Sequence, residues 1–217
     1  MERDSLLKIY YLKSVDSTQL YLKKQLQNKV YSPPCVVYTY HQTNGIGSRD
    51  NSWKGFEGNL FLSFAIHKDM LPRDLKIESA SIYFAYLLKE TLAEFGSQVW
   101  LKWPNDFYLK EKKLGGMITH VVENNFVCGV GLNLQSAPEN FAKLDIRIDG
   151  EKLLENYLQK IEKKILWKQV FSKYKLEFHK NKSFKTHISG AKISLSDALL
   201  QEDGSVMING EKVYSLR

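Results

Sequence analysis

Lys102-Trp103-Pro104-Asn105-Asp106 packs a cation, an aromatic ring, a rigid proline, an amide and a carboxylate into five residues. The stretch closes an apolar run, and its proline stops strand pairing, so the side chains that follow can project from a strand end. Two accounts fit: a group that holds and polarises an anion, or a strand end capped by an Asn-Asp turn. Seven residues after Asp106 comes Lys113, then Leu114-Gly115-Gly116. Paired glycines weaken a strand, and they make sense where a ligand or another backbone must come close. A lysine beside them suits a phosphate or a carboxylate, and equally a solvated turn such as the one holding Lys112. Gly129-Val130-Gly131-Leu132-Asn133 repeats the alternating glycines and ends in an amide; tight sheet packing is the plainer account there. With a glycine-rich loop carrying Trp53, these segments supply two lysines, an Asn-Asp pair and glycine-lined strands. That set suits a phosphate-bearing anion with a base that can stack.

Other chemistries lack their motifs. Gly45-Ile46-Gly47 runs into Ser48-Arg49-Asp50 without the third glycine of a dinucleotide fingerprint, and no Gly-x-x-x-x-Gly-Lys-Ser/Thr loop occurs. The histidines at 41, 67, 120, 179 and 187 show no metal-ligand spacing, and there is no Cys-x-x-Cys. A Gly-x-Ser-x-Gly nucleophile elbow is also missing.

The elements that must position these residues can be read from periodicity. Residues 8–13 read as a strand, and Asp16-Ser17-Thr18 as the start of a short helix to about Asn28, since short oxygen-bearing side chains cap the free amides of a first turn. Val36 to His41 alternates as a strand. Residues 42–58 form a long polar loop with four glycines, a length that compact domains rarely keep unused. Asn59 to His67 is the next strand. A long amphipathic helix spans 75–95, with Gly96 as its stop signal. A strand at 98–103 leads into a hairpin, Phe107 to Lys110 and Leu114 to Glu123 about the turn Glu111-Lys112-Lys113; Asn124-Asn125 turns into a last strand from Phe126 to Leu134. After a loop, a long helix is expected over 151–180. From about His187 short β-like pieces are broken by Asp203-Gly204 and Asn209-Gly210. They form a terminal module too small to bury a core alone, so it must lean on the rest. The class is α+β: a mixed, mostly antiparallel sheet flanked by helices, residues 1–183, with a small C-terminal β module at 184–217.

Composition bounds the setting. The chain has 217 residues, 43% of them hydrophobic and 12% aromatic, enough for one medium, sheet-rich domain with a small appendage. The net charge of +7 and pI near 9.2 allow nucleic acid, an anionic membrane or a negatively charged small molecule as partner. The lysines are scattered, with no block of five like charges, which reads as solvated faces plus a few functional lysines. Cys35 and Cys128 lie in apolar runs and are expected to be buried free thiols. The N-terminus carries no apolar signal region and no segment reaches transmembrane length, so a cytoplasmic protein is expected.

In order and spacing, Lys102-Trp103-Pro104-Asn105-Asp106, Lys113-Leu114-Gly115-Gly116 and Gly131-Leu132-Asn133 resemble the signature of biotin–protein ligases. Asp16-Ser17-Thr18-Gln19 is similar to that family's Asp-Ser-Thr-Asn, and Gln42-Thr43 followed by glycines and Trp53 is similar to its biotin loop. The resemblance runs from about residue 8 through the C-terminal module, which looks like the family's SH3-like domain beside a class II synthetase-like catalytic domain.

The resemblance implies ATP-dependent ligation of biotin to a lysine of a biotin carboxyl carrier protein of acetyl-CoA carboxylase, through biotinyl-5′-AMP, with Mg²⁺. It implies Lys113 at the biotin carboxyl and α-phosphate, Lys102 near the phosphates, and Asp106 either orienting or deprotonating the acceptor amine or serving nucleotide and Mg²⁺. Ser17, Thr18, Gln19 and Gln42 would bind the ureido ring, and Gly115 and Gly116 would leave room for it. Trp53 would lie near the adenine, and Asn105 and Asn133 around the nucleotide. Gly45, Gly47, Ser48 and Arg49 would belong to the loop that closes over biotin.

Two departures stand out. Family members that repress transcription begin with a winged helix–turn–helix, so a monofunctional enzyme is expected, with no nucleic-acid or membrane partner and as a monomer or weak homodimer. The family loop is usually Gly-Arg-Gly-Arg-x-Gly-Arg; here Ile46, Ser48 and Asn51 replace arginines, and Arg49 is expected to take over part of their role in retaining the adenylate. The rivals are a lipoate or octanoate ligase of the same fold, and a basic nucleic-acid-binding module using residues 187–217. The latter's balance of Lys192, Lys212 and Arg217 against Asp197, Glu202, Asp203 and Glu211 is slightly acidic, which argues against it.

Overall fold

The structure, a computed structural model, describes residues 7–47, 52–53, 55–188 and 190–214. Strand β1 (Lys8–Tyr11) leads to helix α1 (Thr18–Gln27), whose N-cap Ser17 accepts from the amide of Leu20. Strand β2 (Cys35–Thr39) follows, then the two-residue strands β3 (Gly45–Ile46) and β4 (Ser52–Trp53), and β5 (Leu60–His67). A 3₁₀ turn (Ile77–Ser79) opens into α2 (Ala80–Glu94), nearly all of it buried. Next come β6 (Trp100–Lys102), β7 (Asp106–Leu109), β8 (Lys112–Val122) and β9 (Asn125–Leu132). Helices α3 (Gly150–Glu162) and α4 (Trp167–Glu177) precede β10 (Lys185–Ile188), β11 (Ala191–Ser194), β12 (Leu199–Leu200), β13 (Val206–Ile208) and β14 (Glu211–Val213).

Seven strands form one sheet in the order β1-β2-β5-β9-β8-β7-β6; β1 pairs with β2 in parallel and the other pairs are antiparallel. Period-2 alternation decides what each face carries. On β9, Phe126, Cys128, Val130 and Leu132 enter the main core under α2 and α3, while Val127 joins Leu22 of α1, Cys35, Val37 and Ala65 on the other face. Gly129 and Gly131 therefore fall on the α1 face of the sheet, where the absence of side chains leaves room.

Two expectations change. The helix over 151–180 is two helices, broken where Lys164 adopts φ +48° and followed by a 3₁₀ turn, Phe178–Ser183. The break re-aims Trp167, Val170 and Tyr174 onto the core, and the Asp74 carboxylate caps the new start by accepting from the amides of Trp167 at 2.9 Å and Lys168 at 3.0 Å. The loop at 42–58 contains a short ladder, Gly45 opposite Trp53 and Ile46 opposite Ser52.

Strands β10 to β14 pair among themselves, outside the large sheet. Their buried side chains, Leu195, Ala198, Val206 and Ile208, belong to the same core cluster as α2. Among the described residues no helix is long and apolar enough to cross a membrane. Cys35 and Cys128 are buried free thiols.

Candidate active site

The N-terminus of α1 meets the glycine face of β9. Ser17, Thr18 and Gln19 are buried there. Thr18 donates to Gln42 Oε1 from its amide at 3.0 Å and its hydroxyl at 3.3 Å, and Ser63 Oγ donates to Thr18 Oγ1 at 3.0 Å. These bonds fix a polar floor. Gln19 Nε2 donates to the carbonyl of Val127 at 3.3 Å, which leaves Gln19 Oε1 buried without a hydrogen-bond partner. Gly129 admits that side chain, because a Cβ there would lie 2.6 Å from Gln19 Oε1. Gly131 plays the same part for the loop, since a Cβ would lie 2.8 Å from Trp53 Nε1, itself buried and unpartnered. Phe141 holds the Trp53 ring edge-on at 6.2 Å. One acceptor and one donor are thus left unpaired, each at a cost of about 1–3 kcal/mol that a ligand with matching groups would recover.

At the other end stand the charged groups. Register puts Asp106 opposite both Lys102 and Gly116, and an irregularity between Phe107 and Tyr108 places Lys113 opposite Tyr108. Lys113 Nζ lies 2.7 Å from Asp106 Oδ1, and Lys102 Nζ lies 3.8 Å from Asp106 Oδ2. Lys113 is 5.6 Å from the Trp53 ring centre and Lys102 is 5.5 Å from that of Tyr108. Burial, helped by the charge on Asp106, pushes the Tyr108 phenol up to about 12, so it stays neutral beside the lysines.

The floor and the charged end share a cavity of about 50 Å³. It continues into an outer cleft of about 820 Å³, with Gln19, Ile46, Gly47, Asp106, Lys113 and Ile118 lining both. The far wall of the cleft comes from Phe184 to His187 and Lys192 of the C-terminal strands. Lys23 and His120 line it too; burial lowers both pKa values, and the Lys23 charge lowers that of His120 further.

The structure brings Ser17, Thr18, Gln19, Gln42, Gly47, Trp53, Asp106, Lys113 and Gly116 around the inner cavity, and adds Lys102 and Asn105 along the outer cleft. Three expected residues line neither. A Cβ on Gly115 would strike the Gly131 carbonyl and sit 2.6 Å from Leu132, so this glycine serves the close approach of β8 to β9, and Gly116 faces the cavity. Gly45 lets the loop cross Gln42, its absent Cβ lying 2.7 Å from the Trp53 carbonyl. Asn133 is buried, donating to Ala142 at 3.1 Å and accepting from Asn59 at 3.4 Å, which anchors the segment after β9. Asn105 lines the cleft while its amide donates to the Met117 carbonyl at 2.5 Å. Ser48 and Arg49 lie outside the described residues. Sequence reasoning missed Ile46, Met117, Ile118, Gly129, Val130 and Gly131 as lining residues. The Gly-Val-Gly run carried a signal that tight packing explained more plainly, while the apolar residues carried none.

Known proteins share this fold. The chain is similar to the biotin acetyl coenzyme A carboxylase synthetase of Helicobacter pylori, a structure with bound biotinylated ATP: 40% identity, 96% of this chain and 99% of that one, TM-score 0.92. It has the fold of the Aquifex aeolicus biotin protein ligase in complex with biotin and ATP, at 22% identity over 97% of this chain and 96% of that one, TM-score 0.77. The bifunctional ligase/repressor BirA of Escherichia coli is 28% identical over 127 residues, which is 55% of this chain and 38% of that protein. The sequence pattern of the Biotin/lipoate A/B protein ligase family matches residues 11–135, more than half of the chain and the span that carries α1, the glycine face of β9 and the paired lysines; the chain belongs to that family.

Proposed function

We propose that this chain ligates biotin to a lysine of a carrier protein, at the expense of ATP and through biotinyl-5′-AMP. One observation carries the reading: a small polar pocket with an unpartnered acceptor, Gln19 Oε1, and an unpartnered donor, Trp53 Nε1, leads to a lysine pair at an open cleft. Biotin has the matching polarity, with ureido N–H and C=O groups at one end and a carboxylate at the other; this reading moves Trp53 from the adenine, where the resemblance put it, to the inner cavity that it lines with Gln19. A lipoyl dithiolane has no N–H for Gln19 Oε1, and a site that leaves buried polar atoms unpaired rejects such an analogue strongly. The likeness to the Helicobacter pylori enzyme at 40% identity supports the same substrate.

The chemistry then follows from the charged end. A biotin carboxylate oxygen attacks the α-phosphorus of ATP, the bond to the bridging oxygen breaks, and pyrophosphate leaves. Two anions must meet, so Lys113 and Lys102 serve by neutralising charge where it gathers. In the second step the acceptor amine attacks the acyl carbon and AMP leaves with the anhydride oxygen. Asp106 is the carboxylate lining both cavities, and we assign it to orienting that amine or taking its proton. The described residues contain no cluster of three metal-ligating groups. Mg²⁺ takes one or two carboxylates with substrate phosphates and water; Asp106, which lines both cavities, would be its protein donor, and the ion would neutralise phosphate charge. The carrier is a biotin carboxyl carrier domain of a carboxylase, in line with the name of the Helicobacter pylori relative. A catalytic unit at 1–183 and a β module at 184–217 belong to the same reading, supported by the self-contained pairing of β10 to β14. We also assign it to the cytoplasm, as a monomer or weak homodimer without a nucleic-acid partner.

The test is incubation with ATP, Mg²⁺, biotin and a carrier domain, then mass spectrometry of the carrier. Addition of one biotinyl group is expected; no mass gain on a competent carrier, or gain with lipoate in place of biotin, overturns the reading.

A further inference from the structure

The C-terminal strands grip the main body at one turn. Three consecutive carbonyls there each accept from a different element: Glu202 from Trp167 Nε1 at 2.8 Å, Asp203 from Ser79 Oγ at 2.9 Å, and Gly204 from Trp103 Nε1 at 2.9 Å. The turn is itself held in one shape. Asp203 Oδ1 accepts from the amide of Ser205 at 3.0 Å and its hydroxyl at 2.6 Å, and Oδ2 pairs with Lys212 at 2.7 Å. Gly204 has φ +80°, and a Cβ on it would lie 2.8 Å from Ile82 of α2.

Trp103 is fully buried and stands between Lys102 and Pro104, three residues before Asp106. Its main-chain amide donates to Oδ1 of Asn181, also fully buried, at 2.7 Å. Main-chain and side-chain N–H groups of this one residue therefore both end on the segment after α4. Lys102 and Asp106, its near neighbours in sequence, are the groups that meet across 3.8 Å at the open end of the site.

We propose that Trp103 is a positioning residue: the 202–204 turn, holding its indole, sets where Lys102 and Asp106 stand, so the C-terminal strands govern adenylate formation. The proposal rests on the ligase reading above. Catalysis responds to small displacements far more steeply than folding does, since a shift of about 1 Å can cost roughly 100-fold in rate.

Trp103→Phe removes the N–H donor and keeps most of the ring. Biotin-dependent ATP–pyrophosphate exchange is measured well below the melting temperature of each variant, with the folded fraction taken from its unfolding curve. We expect kcat per folded molecule to fall at least about tenfold, the KM for ATP to rise, and the KM for biotin to stay within about twofold, because Thr18, Gln19 and Gln42 are bonded elsewhere. Ser79→Ala loosens the same turn from its other side without touching the Lys102 segment. It should show the same split with a smaller fall in kcat, and the double variant should lose less than the product of the two. If Trp103→Phe does not fold, Ser79→Ala decides alone. Unchanged kcat in the folded variants overturns the proposal; absence of biotin-dependent exchange in the unaltered chain overturns the ligase reading instead.

Discussion

Asp106 divides its carboxylate between two ammonium groups, Lys113 at 2.7 Å and Lys102 at 3.8 Å. The Lys113 and Asp106 side chains keep 29% and 24% of their surface exposed at the cavity, so water still screens the pair, whose contribution is about 1 kcal/mol. Stability therefore gives little reason for the arrangement, whereas an incoming carboxylate and phosphate give a strong one. Lys113→Ala should lower biotin-dependent exchange by about 10²–10³-fold, the range for losing one preorganised charge-stabilising group. Its melting temperature should move by no more than about 2–4 °C, the equivalent of about 1 kcal/mol at this size. Near-normal exchange would remove Lys113 from the site. This much was legible in the sequence, because a lysine beside paired glycines and an Asn-Asp pair after a proline are poor choices for a plain strand. Which of the paired glycines faces the ligand was not legible. Pairing decides it: Gly116 stands opposite Gly131 and shares its open face, whereas Gly115 stands opposite Leu132 on the core face, and no local pattern announces that register.

At the scale of elements, β9 does two jobs with one alternation. Its large residues fill the core under α2, and its glycines leave the opposite face open to Gln19 and Trp53. Gly131→Ala puts a methyl 2.8 Å from Trp53 Nε1, against a ring already held by Phe141, so the indole must move. We expect biotin affinity to fall about tenfold or more, about 1.4 kcal/mol, with a change in Trp fluorescence and little loss of secondary structure. Unchanged affinity in titration calorimetry would show that Trp53 does not bear on the ligand. The strands and α2 were legible because their apolar periods are regular. The break between α3 and α4 was not: residues 163–166 read Lys-Lys-Ile-Leu, with neither glycine nor proline. The cap that starts α4 comes from Asp74, more than ninety residues earlier, so no local pattern announces it.

At the scale of the whole molecule, a ligand of the inner cavity would be held through the two lining atoms left unpaired, Gln19 Oε1 and Trp53 Nε1. Residues distant in sequence, on α1, the 42–58 loop, β7, β8 and β9, converge on one small cavity that opens into a larger cleft. The C-terminal strands share the main core and line that cleft. Gln19 Oε1 and Trp53 Nε1 belong to different elements, so a ligand that pairs both links those elements in the native state and in no unfolded one. Such a ligand stabilises by about 2.7 kcal/mol at a hundredfold excess over its Kd. For a chain of 217 residues that corresponds to a rise in melting temperature of about 5–10 °C. Biotin at that excess should produce the rise without ATP, and lipoate at the same concentration should not, since it lacks the ureido donor and acceptor. An equal rise with both compounds would mean that the cavity reads the acyl chain and its carboxylate, and would transfer the case to the lipoate branch of the family.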